Sequence, residues 1–114
     1  MSPYPNYLQA AKENEAVFRN ILRYMDKNRG EISHGWLIPQ DFKTDLPLDE
    51  FYALYSSGSF DGSFHVINFN RSEPDKACIT MESRVEGKSS GTSLEYKVLP
   101  DNSVKYIRAG VTWR

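Results

Sequence analysis

The apolar residues of this chain change their spacing along the sequence, and this change restricts the fold more than any other feature. Between about Asn6 and Asn28 they recur three, four or seven positions apart, which is typical of an amphipathic helix. From about Gly62 onward they alternate with polar residues, which is typical of strands that bury one face. A chain that contains both patterns is expected to pack helices on a sheet.

Two helices are predicted in the first half of the chain. The first covers about Asn6 to Asn28, with Pro5 or Asn6 placed to begin it and Gly30 placed to end it. A shorter helix is predicted over residues 47–55, because a proline and two acids are favourable in a first helical turn. The connection between the helices is expected to be irregular, with one short strand near residues 36–38.

Four strands are predicted in the second half, over Gly62–Asn70, Lys76–Glu86, Thr92–Leu99 and Ser103–Trp113. In the second strand the alternation predicts a packed face and a face that meets water, the latter with Cys78, Thr80 and Glu82. Residues 70–75 and 87–91 are expected to form connections, and residues 100–102 a tight hairpin turn. The apolar positions of the last strand change parity, which predicts a bulge between Tyr106 and Gly110.

Together these elements predict a single α+β domain over residues 1–114, since a chain of 114 residues fits one core. A long helix and a short helix would pack on a curved, mostly antiparallel, four-stranded sheet. In architecture alone, this order of elements resembles the cystatin-like and nuclear-transport-factor-2-like rolls. The resemblance implies a sheet curled around the first helix, and it carries no function with it.

Composition excludes several classes of function. The formal net charge is −1, so the chain lacks the basic field that nucleic-acid binders use. The single cysteine, Cys78, cannot form an internal disulfide, which favours a reducing, cytoplasmic setting. No apolar run is long enough to span a bilayer, and no phosphate-loop, zinc-protease, nucleophile-elbow or calcium-loop motif is present. We therefore expect that the chain neither associates with a membrane nor binds a metal or a cofactor, and that it is not an enzyme.

Charge is distributed unevenly along the chain. Residues 31–63 contain six acids and one base, whereas the segments on either side each have a net charge of +2. Acids attract a basic partner at long range, and aromatic residues can anchor the contact once it forms. The residues predicted to bind such a partner are Trp36, Asp41, Asp45, Asp49, Glu50, Tyr52 and Asp61. The alternative is that these acids favour a helix start and that the aromatic residues belong to the core.

The leading hypothesis is a non-enzymatic domain that binds a basic protein, as an inhibitor or an immunity-type protein does. The alternative is a small-molecule-binding roll with an apolar pocket between sheet and helix, with or without lyase or isomerase chemistry. A homodimer formed through an exposed sheet face is a further possibility. We interpret His34, His65 and Cys78 as structural residues, because none lies in a motif that would orient it for chemistry.

Overall fold

The computed structural model describes residues 7–32, 35, 38–56, 64–85 and 88–113. In chain order, the elements are α1 (Leu8–Glu13), α2 (Glu15–Lys27), a 3-10 turn (Arg29–Glu31), α3 (Leu48–Tyr55), β1 (His65–Glu73), β2 (Lys76–Val85), β3 (Lys88–Val98) and β4 (Val104–Trp113). The predicted start of the first helix and most of the predicted short strand, at residues 36–37, lie outside the described residues.

The strands form one antiparallel sheet in the order β1-β2-β3-β4, which confirms the predicted α+β class. The register aligns apolar residues across the sheet, since Ile79 lies opposite both Phe69 and Leu94. These three side chains are fully or almost fully buried and belong to the same core cluster as the apolar residues of the helices. The helices therefore pack on one face of the sheet, which we call the inner face; the opposite face is the outer face.

The core is centred on α2. Its buried residues follow the helical spacing expected for one apolar face, and they are Val17, Phe18, Ile21, Leu22 and Met25. The ring of Phe18 lies edge-on to Phe51 of α3, with ring centroids 5.6 Å apart, and to Phe69 of β1, at 5.0 Å. Edge-to-face contacts of this kind stabilise a core beyond the area that they bury. Phe18 of α2 thus contacts both α3 and the sheet.

The long helix predicted for about residues 6–28 is present with one break, because Asn14 divides it into α1 and α2. Asn14 leaves helical geometry, with φ −128° and ψ 41°, while its amide donates a side-chain hydrogen bond to the carbonyl of Ala10 at 2.9 Å. Its side-chain oxygen accepts a hydrogen bond from Arg71 of β1 at 3.0 Å. Asparagine side chains that bond to nearby backbone compete with helical hydrogen bonds, and here the sheet holds the competing conformation in place.

Two strands extend beyond their predicted bounds, β1 at its end and β3 at its beginning. β1 continues to Glu73, so that only Pro74 and Asp75 form the turn. Arg71 donates hydrogen bonds to the carbonyl of Pro74 in the turn and to that of Lys76 directly after it. β3 begins at Lys88, so the predicted flexible connection over residues 87–91 is largely wrong. Strand pairing is made by backbone groups, and glycine and serine can therefore extend a ladder without an alternating apolar pattern.

The predicted hairpin and bulge in the last part of the chain are both confirmed. Asn102 takes a left-handed conformation, with φ 68°, in the turn between β3 and β4. Glu95 pairs with Arg108 and Tyr96 with Tyr106, which leaves Ile107 as the extra residue on β4. Ile107 is correspondingly 46% exposed. The bulge keeps the residues on both sides of it in register with the inner face.

Removal of the hydroxyl group from two buried tyrosines should affect the free energy of unfolding differently. The Tyr7 hydroxyl and the Ser56 hydroxyl share a buried hydrogen bond, whereas the Tyr96 hydroxyl is buried without a hydrogen-bond partner among the described residues. Tyr7→Phe should lower the free energy of unfolding by about 1–3 kcal/mol, because it leaves Ser56 buried and unsatisfied. Tyr96→Phe should leave it unchanged or raise it. Urea denaturation of the two variants measures both, and equal losses would contradict this account.

Candidate functional site

Four of the predicted partner-binding acids lie close together along the chain on an exposed stretch. Asp41 and Asp45 belong to the connection before α3, while Asp49 and Glu50 form part of the first turn of α3. All four side chains are exposed. Two further candidates, Asp61 and Trp36, lie outside the described residues.

Two of these acids form ion pairs with the helices. Asp45 lies 2.7 Å from Arg23 of α2, and Asp49 lies 3.2 Å from Lys12 of α1. The hydrogen bond from Arg23 holds the pKa of the Asp45 carboxyl below its usual value of 3.8. Both pairs are open to solvent, and exposed pairs of this kind contribute little to stability. Asp45 and Asp49 thus have a local structural contact that the sequence did not predict.

The other predicted residues are divided between surface and core. Within the described part of the chain, neither Asp41 nor Glu50 has an ion-pair partner. Tyr52 is half-buried, and its ring packs on that of Tyr7 with centroids 5.5 Å apart. Tyr52 therefore joins α3 to the residue preceding α1 while keeping part of its surface exposed. We call Asp41, Asp45, Asp49, Glu50 and Tyr52 the α3 surface.

A second group of acid and aromatic residues was missed by the sequence analysis. Tyr24 of α2, Tyr96 of β3 and Tyr106 of β4 bring their rings together, and the Tyr24 hydroxyl donates a hydrogen bond of 2.8 Å to Glu31. The ring centroids are 5.6 Å apart for Tyr24 and Tyr96, 5.7 Å for Tyr96 and Tyr106, and 6.3 Å for Tyr24 and Tyr106. We call these four residues the tyrosine–Glu31 cluster.

The carboxylate of this cluster affects all three phenols. The pKa of Tyr24 is raised to about 12. The largest cause is loss of solvation, and the second is the hydrogen bond to Glu31. Burial raises the pKa of Tyr96 and of Tyr106 as well, and the negative charge of Glu31 contributes to both shifts. At neutral pH the three phenols therefore keep their protons and act as hydrogen-bond donors and ring surfaces.

The chain positions Glu31 through a tight connection after α2. Gly35 donates a backbone hydrogen bond to Ile32 at 3.1 Å, and a Cβ atom at Gly35 would lie only 1.9 Å from the carbonyl oxygen of Arg29. Only glycine allows such a close approach of two backbone segments. The Arg29 guanidinium then donates to the carbonyl of Ile38 at 2.7 Å, which fixes the next part of the connection.

The outer face of the sheet is partly buried, contrary to the expectation that it meets water. His65 and Glu82 lie directly opposite each other on β1 and β2, and each is only 2% exposed. Thr80 is also buried, and its hydroxyl lies 3.0 Å from that of Ser93. Alternation identifies which residues share a face, but it does not show what covers that face.

Farther along the outer face, Cys78 lines an open groove of about 390 Å³ together with Ser93, Glu95 and Arg108. Burial raises the pKa of the Cys78 thiol, and the nearby carboxylate of Glu95 raises it further. Glu95 is itself paired with Arg108 at 2.8 Å. A thiol with a raised pKa is a weak nucleophile at neutral pH, which supports the interpretation of Cys78 as a structural residue.

Comparisons with protein-family models, curated proteins and solved structures give no match for this chain. The described residues contain no group of three histidine, cysteine or acidic side chains arranged to hold a metal ion. None of the helices in the described ranges has both the length and the apolar character needed to span a bilayer.

The pairing of Asp45 with Arg23 predicts a specific change in titration. Arg23→Gln should raise the pKa of Asp45 toward 3.8, because the guanidinium that stabilises the charged carboxylate is removed. Carboxyl resonances followed by NMR against pH measure this shift. Asp101 is a matched control, since its pKa is lowered by hydrogen bonds from Ser103 and should not change.

The lowered pKa of Asp45 also determines how its ion pair with Arg23 affects stability as the pH changes. A carboxyl whose pKa is depressed on folding stabilises the native state above its unfolded-state pKa. That contribution disappears as the pH falls through the folded-state pKa. Arg23→Gln should therefore reduce the loss of stability on acidification, and an unchanged Asp45 titration would contradict the ion pair.

Proposed function

We propose that this chain is a non-enzymatic protein-binding domain that docks a basic protein on the α3 surface, as an inhibitor or an immunity-type protein would. The observation that carries the proposal is the charge of residues 41–50, which present four exposed carboxylates and a single base, Lys43. Such a surface attracts a basic partner at long range, while Tyr52 offers a partly exposed ring at its edge.

The two ion pairs on this surface are compatible with a partner. The side chains of Asp45 and Asp49 remain 72% exposed although each contacts a cation. Exposed pairs of this kind are weak, so a basic side chain of the partner can compete for the carboxylates. Asp41 and Glu50, for which the described residues provide no counter-ion, add uncompensated negative charge beside them.

Packing of the interior favours this proposal over the small-molecule alternative. An apolar ligand between α2 and the sheet would need space along the buried face of that helix. Instead, Phe18, Ile21, Leu22 and Met25 are 0% exposed and belong to one continuous core cluster with the inner face of the sheet. Close packing of this kind leaves the surface as the place where recognition occurs.

The setting that we propose is the cytoplasm. Cys78 is the single cysteine of the chain, and it is a free, half-buried thiol. Free thiols persist in reducing compartments, whereas small secreted domains commonly rely on disulfides. The partner that we propose is accordingly a basic protein of the same compartment.

Charge reversal on the α3 surface tests the proposal. Affinity capture from a lysate of the producing cells should first retain a basic protein. Asp41→Lys/Glu50→Lys should then slow association with that protein roughly tenfold at low salt, because long-range attraction is lost, and should flatten the salt dependence of the rate. Stopped-flow or surface-binding kinetics at several salt concentrations provide the measurement.

The matched control is Asp75→Lys, an exposed acid in the turn between β1 and β2. It changes the charge by the same amount per site, so its effect is compared with that of Glu50→Lys alone. A nonspecific charge effect would slow association equally in both single variants. That outcome, or an unchanged salt dependence in the double variant, would refute the proposed surface.

A further inference from the structure

The tyrosine–Glu31 cluster combines a carboxylate with ring surfaces that solvent can reach. Glu31 is exposed, and the rings of Tyr24 and Tyr106 are only half-buried. Their planes are inclined by 32° with centroids 6.3 Å apart, so the two rings are tilted relative to each other and are close together. Rings in contact at this distance leave no cage for a cation between them, and a ligand must therefore approach their outer surfaces.

Glu31 is oriented by a hydrogen bond, but it has no counter-ion among the described residues. One of its oxygens accepts the hydrogen bond from Tyr24, and no other described residue donates to this carboxylate. The nearest cation in sequence, Arg29, is held by Asp26 at 2.5 Å and by the carbonyl of Ile38 at 2.7 Å. No lysine or arginine within the described ranges forms an ion pair with Glu31, in contrast to Asp45 and Asp49.

The rings beside Glu31 are fixed by the core. Tyr96 is fully buried and lies at 80° to Tyr24, with centroids 5.6 Å apart, and at 58° to Tyr106, with centroids 5.7 Å apart. This contact supports both half-buried rings from behind. Because side chains that are already held in place lose less freedom when a ligand binds, the cluster is preorganised.

This arrangement fits a guanidinium group better than an ammonium group. A guanidinium is planar, stacks on aromatic rings and can donate to a carboxylate at the edge of the stack. An ammonium group is more strongly hydrated and has no planar surface to stack. Tyrosine and arginine are also the residue types that most often dominate the energy of protein interfaces.

We propose that Glu31, Tyr24 and Tyr106 form a receptor for one arginine side chain of a protein partner. The guanidinium stacks on the outer surface of the tyrosine rings and donates to the carboxylate oxygen that Tyr24 does not use. This inference rests on the proposed function, since it supplies the kind of contact that a basic partner would make, but it concerns residues outside the α3 surface.

The experiment uses a short arginine peptide and needs no identified partner. The full chain, labelled in its tyrosine rings, is titrated by NMR with acetyl-Gly-Arg-Gly-amide. We expect saturable shifts of the Tyr24 and Tyr106 ring signals. The same peptide with citrulline, a neutral analogue of arginine, should cause no such shifts, and a lysine peptide should bind several-fold more weakly.

Variants identify the groups that are responsible. Glu31→Gln should weaken the peptide about tenfold, because it removes the charge and keeps the shape. Glu13→Gln is the matched control, since Glu13 is an exposed acid that likewise accepts one neutral hydrogen bond, from Gln9 at 3.1 Å. Tyr24→Phe keeps the ring but releases the carboxylate, and it should weaken binding by a smaller factor. Amide spectra verify that each variant remains folded.

Four results would overturn the inference: no saturable binding of the arginine peptide, shifts that the citrulline peptide reproduces, full affinity in Glu31→Gln, or equal affinity for the lysine peptide. The outcome is separable from that of the proposed function. If the arginine peptide binds and the α3 charge reversals leave partner association unchanged, the receptor stands and the α3 surface fails. If the reversals slow association but the peptide does not bind, the α3 surface stands and the receptor fails.

Discussion

The structure depends on the burial of the apolar face of α2 against the inner face of the sheet. Burial of a Phe, Leu, Ile or Met side chain stabilises a fold by roughly 1.5–3 kcal/mol each, and α2 contributes several of them. Phe18 contacts both α3 and β1, so its packing helps to position this helix and this strand relative to α2.

Three acids of the central segment differ in the groups that they contact. Asp45 and Asp49 are matched by cations of α2 and α1, and they attach the connection and α3 to the first helices. Glu31 is matched by a neutral phenol, Tyr24, which orients the carboxylate without cancelling its charge. A count of charges along the sequence treats these acids as equivalent, whereas the structure separates those that contact a cation from one that contacts a neutral phenol.

The sequence predicted much of the fold and less of the site. Periodicity is a local property, and it was sufficient for α3, for the four strands and for the bulge beside Ile107. It missed the break at Asn14, because the apolar spacing continues across it and the competing contact comes from the distant Arg71. The tyrosine–Glu31 cluster was missed for a similar reason, since three elements far apart in sequence assemble it and no short motif accompanies such a contact.

The bulge at the exposed edge of the sheet limits how this domain can meet another protein. β4 is an edge strand, and an even edge is a template on which a foreign strand can add by backbone pairing. The extra residue at Ile107 interrupts that template in the middle, and the exposed cations Lys105 and Arg108 flank the interruption. Growth of the sheet into a neighbouring molecule is thereby discouraged along β4, which leaves β1 as the other edge strand of the sheet.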